Sequence, residues 1–87
     1  MRLRHVEVFN NVYKTGSVTA AAKLLNVSQP SVSKVLAHAE QQIGFPLFER
    51  IKRRLIATPE ADILYRHTAV MEDVLTDINE ISVSLAD

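Results

Sequence analysis

Ala20-Ala21-Ala22-Lys23-Leu24-Leu25-Asn26-Val27-Ser28-Gln29-Pro30-Ser31-Val32-Ser33-Lys34-Val35-Leu36 contains two helical segments and the break between them. The break is Asn26-Val27-Ser28: asparagine tolerates the left-handed backbone that ends a helix, and Ser28 can cap the helix that follows. Pro30 then falls in the first turn, where its missing N–H costs nothing. Upstream, Ser17 is placed to cap a helix from Val18 to Leu25, whose alanine run carries so little bulk that another helix can cross it closely. Downstream, a helix from Gln29 to about Ile43 turns Val32, Val35, Leu36, Ala39 and Ile43 within about 60° of one direction, which makes that face core. Pro30, Lys34, Ala37 and Gln41 point the opposite way, flanked by Ser31, Ser33 and His38, with Gln29 to one side at the helix start. With Val27, Val32 and Val35 plugging the angle between them, the two helices form a helix-turn-helix.

The elements on either side follow from the same signals. From Leu3 to Lys14 the apolar residues Leu3, Val6, Phe9, Val12 and Tyr13 recur at steps of three or four, one face of a helix that ends before Gly16. After the second helix of the pair, Gly44 stops the helix and Pro46 disfavours its resuming. Leu47-Phe48 and Leu55-Ile56 are short apolar runs separated by Glu49-Arg50-Ile51-Lys52-Arg53-Arg54, which predicts a small hairpin over residues 47–57, although no Asn-Gly or Asp-Gly marks its turn. Thr58-Pro59-Glu60 is a helix start, with a capping hydroxyl, proline at the first position and an acid in the first turn, and nothing breaks the pattern until about Leu85. The expected fold is mainly α: a winged helix-turn-helix of three helices and a two-stranded wing over residues 1–58, then a long linker or dimerisation helix over 59–87.

A chain of 87 residues holds one small domain, which buries only about 60% of the surface its unfolded form exposes. No apolar run approaches the ~20 residues that span a membrane, and the basic start is not followed by a secretory signal pattern, so a cytosolic location is expected. The absence of cysteine removes disulfides, thiolate metal sites and thiol nucleophiles, and His5, His38 and His67 lack companion ligands at helical spacing, so neither metal nor cofactor is expected. Catalysis is equally unsupported. Ser33 and His38 lie about 140° apart on their helix with no carboxylate to orient the histidine, and two glycines cannot build a phosphate loop. The net charge of zero hides two opposed halves. Residues 1–58 hold nine Lys/Arg against three Asp/Glu, a charge of +6, whereas residues 59–87 hold Arg66 alone against seven acids, a charge of −6. A basic head on an acidic tail fits a head that meets a polyanion.

The chemistry of the outward face agrees. The major groove of duplex DNA is about 12 Å wide, admits a helix, and offers base edges that Gln and Lys can read. Short residues such as Ser31 and Ser33 let the backbone approach phosphates, helped by the positive end of the helix dipole. Each serine taken singly could be a cap or a solvated residue, but Gln29, Pro30, Ser31, Ser33 and Lys34 together point to DNA. A winged helix used only for protein contacts is the main rival, and it has no need of Lys52, Arg53 and Arg54 bunched on a hairpin tip.

The whole chain resembles the LysR-type transcriptional regulators. The resemblance lies in Gly16-Ser17 with Ala21-Ala22, in Ser28-Gln29-Pro30-Ser31-Val32-Ser33, in Gly44 followed by Pro46-Leu47-Phe48-Glu49-Arg50, and in Thr58-Pro59. It implies the operator-reading part of a bacterial regulator in the cytoplasm at the nucleoid, with helix 29–43 in the major groove and the wing on the adjacent backbone of double-stranded DNA. Base and near-base contacts are then expected from Ser28, Gln29, Pro30, Ser31, Ser33 and Lys34, and wing contacts from Arg50, Arg53 and Arg54. Lys34 stands where the family often has arginine and cannot make the two-pronged contact to guanine, which suits it to phosphate. Ala57 and Ala61 replace the family's common leucine and glycine. Regulators of this kind carry a larger effector-sensing domain, so the chain is expected to be a fragment or to lack the inducer switch; no small-molecule inducer is expected to bind here.

The last helix has its own pattern. At 1.5 Å per residue it runs about 43 Å, against a body of 58 residues roughly 27 Å across, so it must overhang. Leu64, Thr68, Met71, Leu75, Ile78, Ser82 and Leu85 follow alternating steps of four and three, a coiled-coil seam with two polar interruptions, and Val70, Val74 and Ile81 lie beside it. One stripe can pack on the first helix; the overhanging part has only another chain to bury it. A homodimer is expected through Leu64, Met71, Leu75, Ile78 and Leu85, as the resemblance also implies, with higher oligomers in a full-length regulator.

Overall fold

In the computed structural model, which describes all of residues 1–87, the chain runs α1 (Leu3–Thr15), α2 (Val18–Leu25), α3 (Gln29–Ile43), β1 (Phe48–Ile51), β2 (Arg54–Ala57) and α4 (Pro59–Ala86). The boundaries are set by local chemistry. Gly16 closes α1 in the left-handed conformation (φ 67°), and the Ser17 hydroxyl accepts the Ala20 N–H at 3.1 Å to open α2. Asn26 repeats the left-handed stop at φ 57°, while the Val27 N–H reaches back to the Ala22 carbonyl at 3.0 Å. Ser28 caps α3 by accepting the Ser31 N–H at 3.2 Å, and Thr58 caps α4 by accepting that of Ala61 at 3.2 Å.

The core is assembled from Val8, Phe9 and Val12 of α1, Ala21 and Ala22 of α2, Val32, Leu36 and Ala39 of α3, Leu47 of the connection to the wing, and Ala61 of α4. Ala21 and Ala22 are small enough for α3 to lie against α2, and Val27 and Val35 pack at the edge of the same cluster. Phe9 is the central ring, with Tyr13, Phe48 and Tyr65 at centroid distances of 5.9, 5.7 and 6.2 Å, so one α1 side chain joins wing and α4. Two details of α1 differ from its expected stripe. Val8 is buried beside Phe9, and Leu3 is 67% exposed because it lies at the helix start, where no element covers it. Ala61 is fully buried, so its methyl fills a core position at the start of α4.

The wing is longer in its strands and tighter in its turn than the apolar runs imply. β1 and β2 pair antiparallel with Phe48 opposite Ala57 and Ile51 opposite Arg54, leaving only Lys52 and Arg53 to turn the chain. Both sit at positive φ, 51° and 67°, as a two-residue hairpin turn of this hand demands. Neither is the Asn or Gly that adopts it freely, at a cost of about 1–2 kcal/mol each. Charged residues extend the strands because backbone pairing does not depend on side-chain polarity and their side chains face solvent.

α4 has two parts. Its first turns lie on the body: Ala61 and Thr68 are buried, and Leu64 and Tyr65 are half-buried against the core. The Thr68 hydroxyl donates to Asn10 Oδ1 at 2.7 Å, and Asn10 Nδ2 donates to the Thr68 carbonyl at 3.0 Å, a buried polar pair with both members satisfied. Of the residues expected to form a seam between chains, Thr68 is turned inward and Leu64 is half-buried against the core, whereas Met71, Leu75, Ile78 and Leu85 are exposed. From Asp73 onward every residue is exposed, and the molecule measures 50 × 25 × 21 Å with the helix projecting along its long axis. No helix is long and apolar enough to cross a membrane.

Candidate nucleic-acid interface

Ser28, Gln29, Pro30, Ser31, Ser33 and Lys34 are all exposed at the start of α3, and Arg50, Arg53 and Arg54 are all exposed on the wing. The two serines nearest the turn are partly occupied. Ser28 Oγ caps the helix and lies 2.8 Å from Ser31 Oγ, so these hydroxyls bond each other as well as the backbone. Gln29, Ser33 and Lys34 make no side-chain hydrogen bond within the chain, which leaves their polar ends to solvent or a ligand. The capping explanation of a serine-rich start thus accounts for Ser28 and Ser31 but not for their three neighbours.

The electrostatics divide the head more sharply than net charge does. The chain has two ion pairs, Arg4 with Glu7 and Lys14 with Glu72, and both involve α1. Lys34, Arg50, Lys52, Arg53 and Arg54 have no carboxylate partner. Two of the tail's seven acids face α1: Glu72 meets Lys14, and Asp62 accepts the Tyr13 hydroxyl at 2.8 Å, a bond that raises the Tyr13 pKa above its usual value. Arg2, Lys23 and Arg66 are also without an ion pair, but they are scattered over three elements, whereas α3 and the wing together carry five such cations around a cleft bordered by Ser33, Ala37, Glu40, Phe48 and Arg50.

Two further polar contacts tie α3 to other parts of the chain. His5 is buried, and its Nδ1 accepts the Arg2 backbone N–H at 3.0 Å. The ring proton must then be on Nε2, which donates to His38 Nδ1 at 3.1 Å, linking the start of α1 to α3. Burial, then the neighbouring His38, the chain's N-terminal amine and Arg2, lower the His5 pKa below 6.5. The second contact is Glu40 of α3, whose Oε2 accepts the Leu47 N–H at 2.6 Å. Nothing in the spacing of either pair signals contact, because both depend on how α3 and its neighbours cross.

The profile of the family described as "Bacterial regulatory helix-turn-helix protein, lysR family" matches residues 3–62. The chain belongs to the LysR family. Among its relatives, the HTH-type transcriptional regulator DgcR of Pseudoalteromonas sp. is 69% identical over 65 residues, which is 75% of this chain and 22% of that protein. The transcriptional activator protein LysR of Escherichia coli (strain K12) is 52% identical over 58 residues, 67% of this chain and 19% of that one. The chain thus spans about a fifth of the length of these LysR-family relatives. Among solved structures, the BenM_DBD/benA site 1 DNA complex superposes with a TM-score of 0.84 at 29% identity, covering 100% of this chain and 98% of that one. The LysR-family fold here is a winged helix-turn-helix followed by a long helix, and the known relatives are transcription regulators.

Proposed function

We propose that the chain is the operator-recognition module of a bacterial LysR-type regulator and acts as a homodimer on double-stranded DNA in the cytoplasm. The observation that carries this reading is the set of unpaired cations on α3 and the wing, flanking the free side chains of Gln29 and Ser33, while the cations of α1 that meet acids are neutralised within the chain. α3 enters the major groove, where Gln29, Ser33 and Lys34 reach base edges and nearby phosphates; Ser28, Pro30 and Ser31 bring the helix start close to the backbone. Arg50, Arg53 and Arg54 grip the adjacent phosphates. The likeness to a DNA-bound BenM domain over the whole chain supports the same reading.

Dimerisation rests on α4. Met71, Leu75, Ile78 and Leu85 are 47, 49, 53 and 81% exposed, and Val70, Val74 and Ile81 are also at least half exposed. Met71, Leu75 and Ile78 also border a groove of about 340 Å³ whose other wall is Leu3, Val6 and Leu25. A second copy covers these surfaces and sets two reading helices on one operator. No catalytic role is assigned. Selection of bound sequences from a random duplex pool tests the proposal: a two-fold symmetric site with two half-sites is expected, and recovery of unselected sequence would reject it.

A further inference from the structure

Glu40 is the only carboxylate of α3 and shares a helix with groups assigned above to a polyanion, where general electrostatics disfavours an acid. Its Oε2 accepts the Leu47 N–H at 2.6 Å, the one hydrogen bond joining α3 to the chain beyond Gly44. Leu47 is the root of the wing. Its side chain is fully buried, its carbonyl accepts the Thr58 N–H at 3.0 Å, and the next residue, Phe48, opens β1 opposite Ala57. Glu40 also borders the cleft shared by Ser33 of α3 and Arg50 of the wing. The carboxylate thus spans the junction between the two elements, on the backbone that joins them.

We propose that Glu40 is a positioning residue: by tying Leu47 to α3 it sets the angle between reading helix and wing, so that both engage one duplex together. This rests on α3 as reader and the wing as grip. The test is a double-mutant cycle between Glu40 and Arg53, read as affinity of the 87-residue chain for a duplex that the wild type selects from a random pool, with circular dichroism checking each fold. In the Glu40→Ala background, Arg53→Ala should cost at least about threefold less affinity than it does in the wild type, a coupling of the size seen for groups that act together. Glu40→Gln keeps an acceptor oxygen for the Leu47 N–H and should stay within about twofold of wild type. Losses that simply multiply, or a Glu40→Gln variant that binds tighter as removal of a repelling charge would make it, overturn the proposal. If Glu40→Ala does not fold, Glu40→Asp, one methylene shorter, replaces it in the cycle; failure of both to fold means that the bond holds the domain rather than the wing angle, and the proposal is wrong. A wild type that selects no sequence rejects the functional reading itself, whereas additivity in a chain that does select one rejects only the role of Glu40.

Discussion

The α3–wing face and the far half of α4 are both unmatched within the chain, but they lack different things. The first holds cations without acids, Lys34, Arg50, Lys52, Arg53 and Arg54, and its backbone is held by caps, a hairpin and the core beneath. The second holds Leu75, Ile78, Ile81 and Leu85 without anything to cover them, on a helix of 28 residues that outruns the body it starts on. The near half of α4 gives the contrast. There Ala61, Leu64 and Thr68 pack on the chain's own core, and Asp62 and Glu72 meet Tyr13 and Lys14. Charge left unpaired calls for a partner through long-range attraction that salt weakens; apolar surface left bare calls for one through burial that salt scarcely affects. The two proposed partners, a polyanion and a second copy, differ in chemistry accordingly.

The largest expected effect comes from making the α4 surface resemble the other one. Ile78→Lys or Leu75→Lys places a charge among the exposed apolar residues and should give monomers by sedimentation, with operator affinity reduced by about 10²–10⁴ through loss of tethering. An equally tight monomer would show that the α4 surface has no part in binding. Within the α3–wing face, Gln29→Ala should cost about 1–3 kcal/mol on the preferred duplex and little on others. Arg53→Ala should weaken all duplexes alike and shallow the salt dependence. Titration of each variant against matched and scrambled duplexes separates the two, and identical losses everywhere would erase the distinction.

The wing turn offers a smaller and two-signed effect. Lys52→Asn combined with Arg53→Gly relieves two positive-φ residues and should raise stability by about 1 kcal/mol in urea unfolding, while removing two cations should weaken DNA binding. A change of the same sign in both measurements would contradict this account of the turn. The smallest effect is in pH. His5 is held neutral, with a lowered pKa caused first by burial and then by His38, so the unfolded chain binds the proton more readily. Stability is therefore full above the unfolded value near 6.5 and falls as pH drops from there through the lowered folded value. Melting temperature between pH 7 and 5 should fall less steeply in His5→Phe; parallel curves would remove His5 from the explanation.

Helices and their ends were legible because they are local. Gly16, Asn26, Ser28, Gly44 and Thr58 act on backbone within a few residues, and each stands at the boundary it signals. The exposure of the proposed DNA contacts is legible for a related reason, since one helix phase and one hairpin tip place them all on the surface. What escaped depends on crossing geometry: the inward turn of Leu64 and Thr68, the Asn10–Thr68 pair, the His5–His38 link and the Glu40–Leu47 bond. Heptad spacing identifies the apolar positions of α4 without saying which neighbour covers them, so it does not separate Leu64 and Thr68, which pack on the body, from Met71 onward, which stay exposed. The hairpin and its basic tip are legible in the sequence, but the two-residue turn is not, because Lys52-Arg53 lacks the residues that usually adopt its backbone.

The most direct test of two unmatched surfaces with separate partners is operator affinity measured across salt concentration, with sedimentation at each concentration. If each protomer neutralises about three phosphates, the dimer should show a log–log slope near −5, from about 0.9 per phosphate, while remaining a dimer throughout. A flat affinity across the same range, or dissociation of the dimer in step with the loss of DNA binding, would contradict the account.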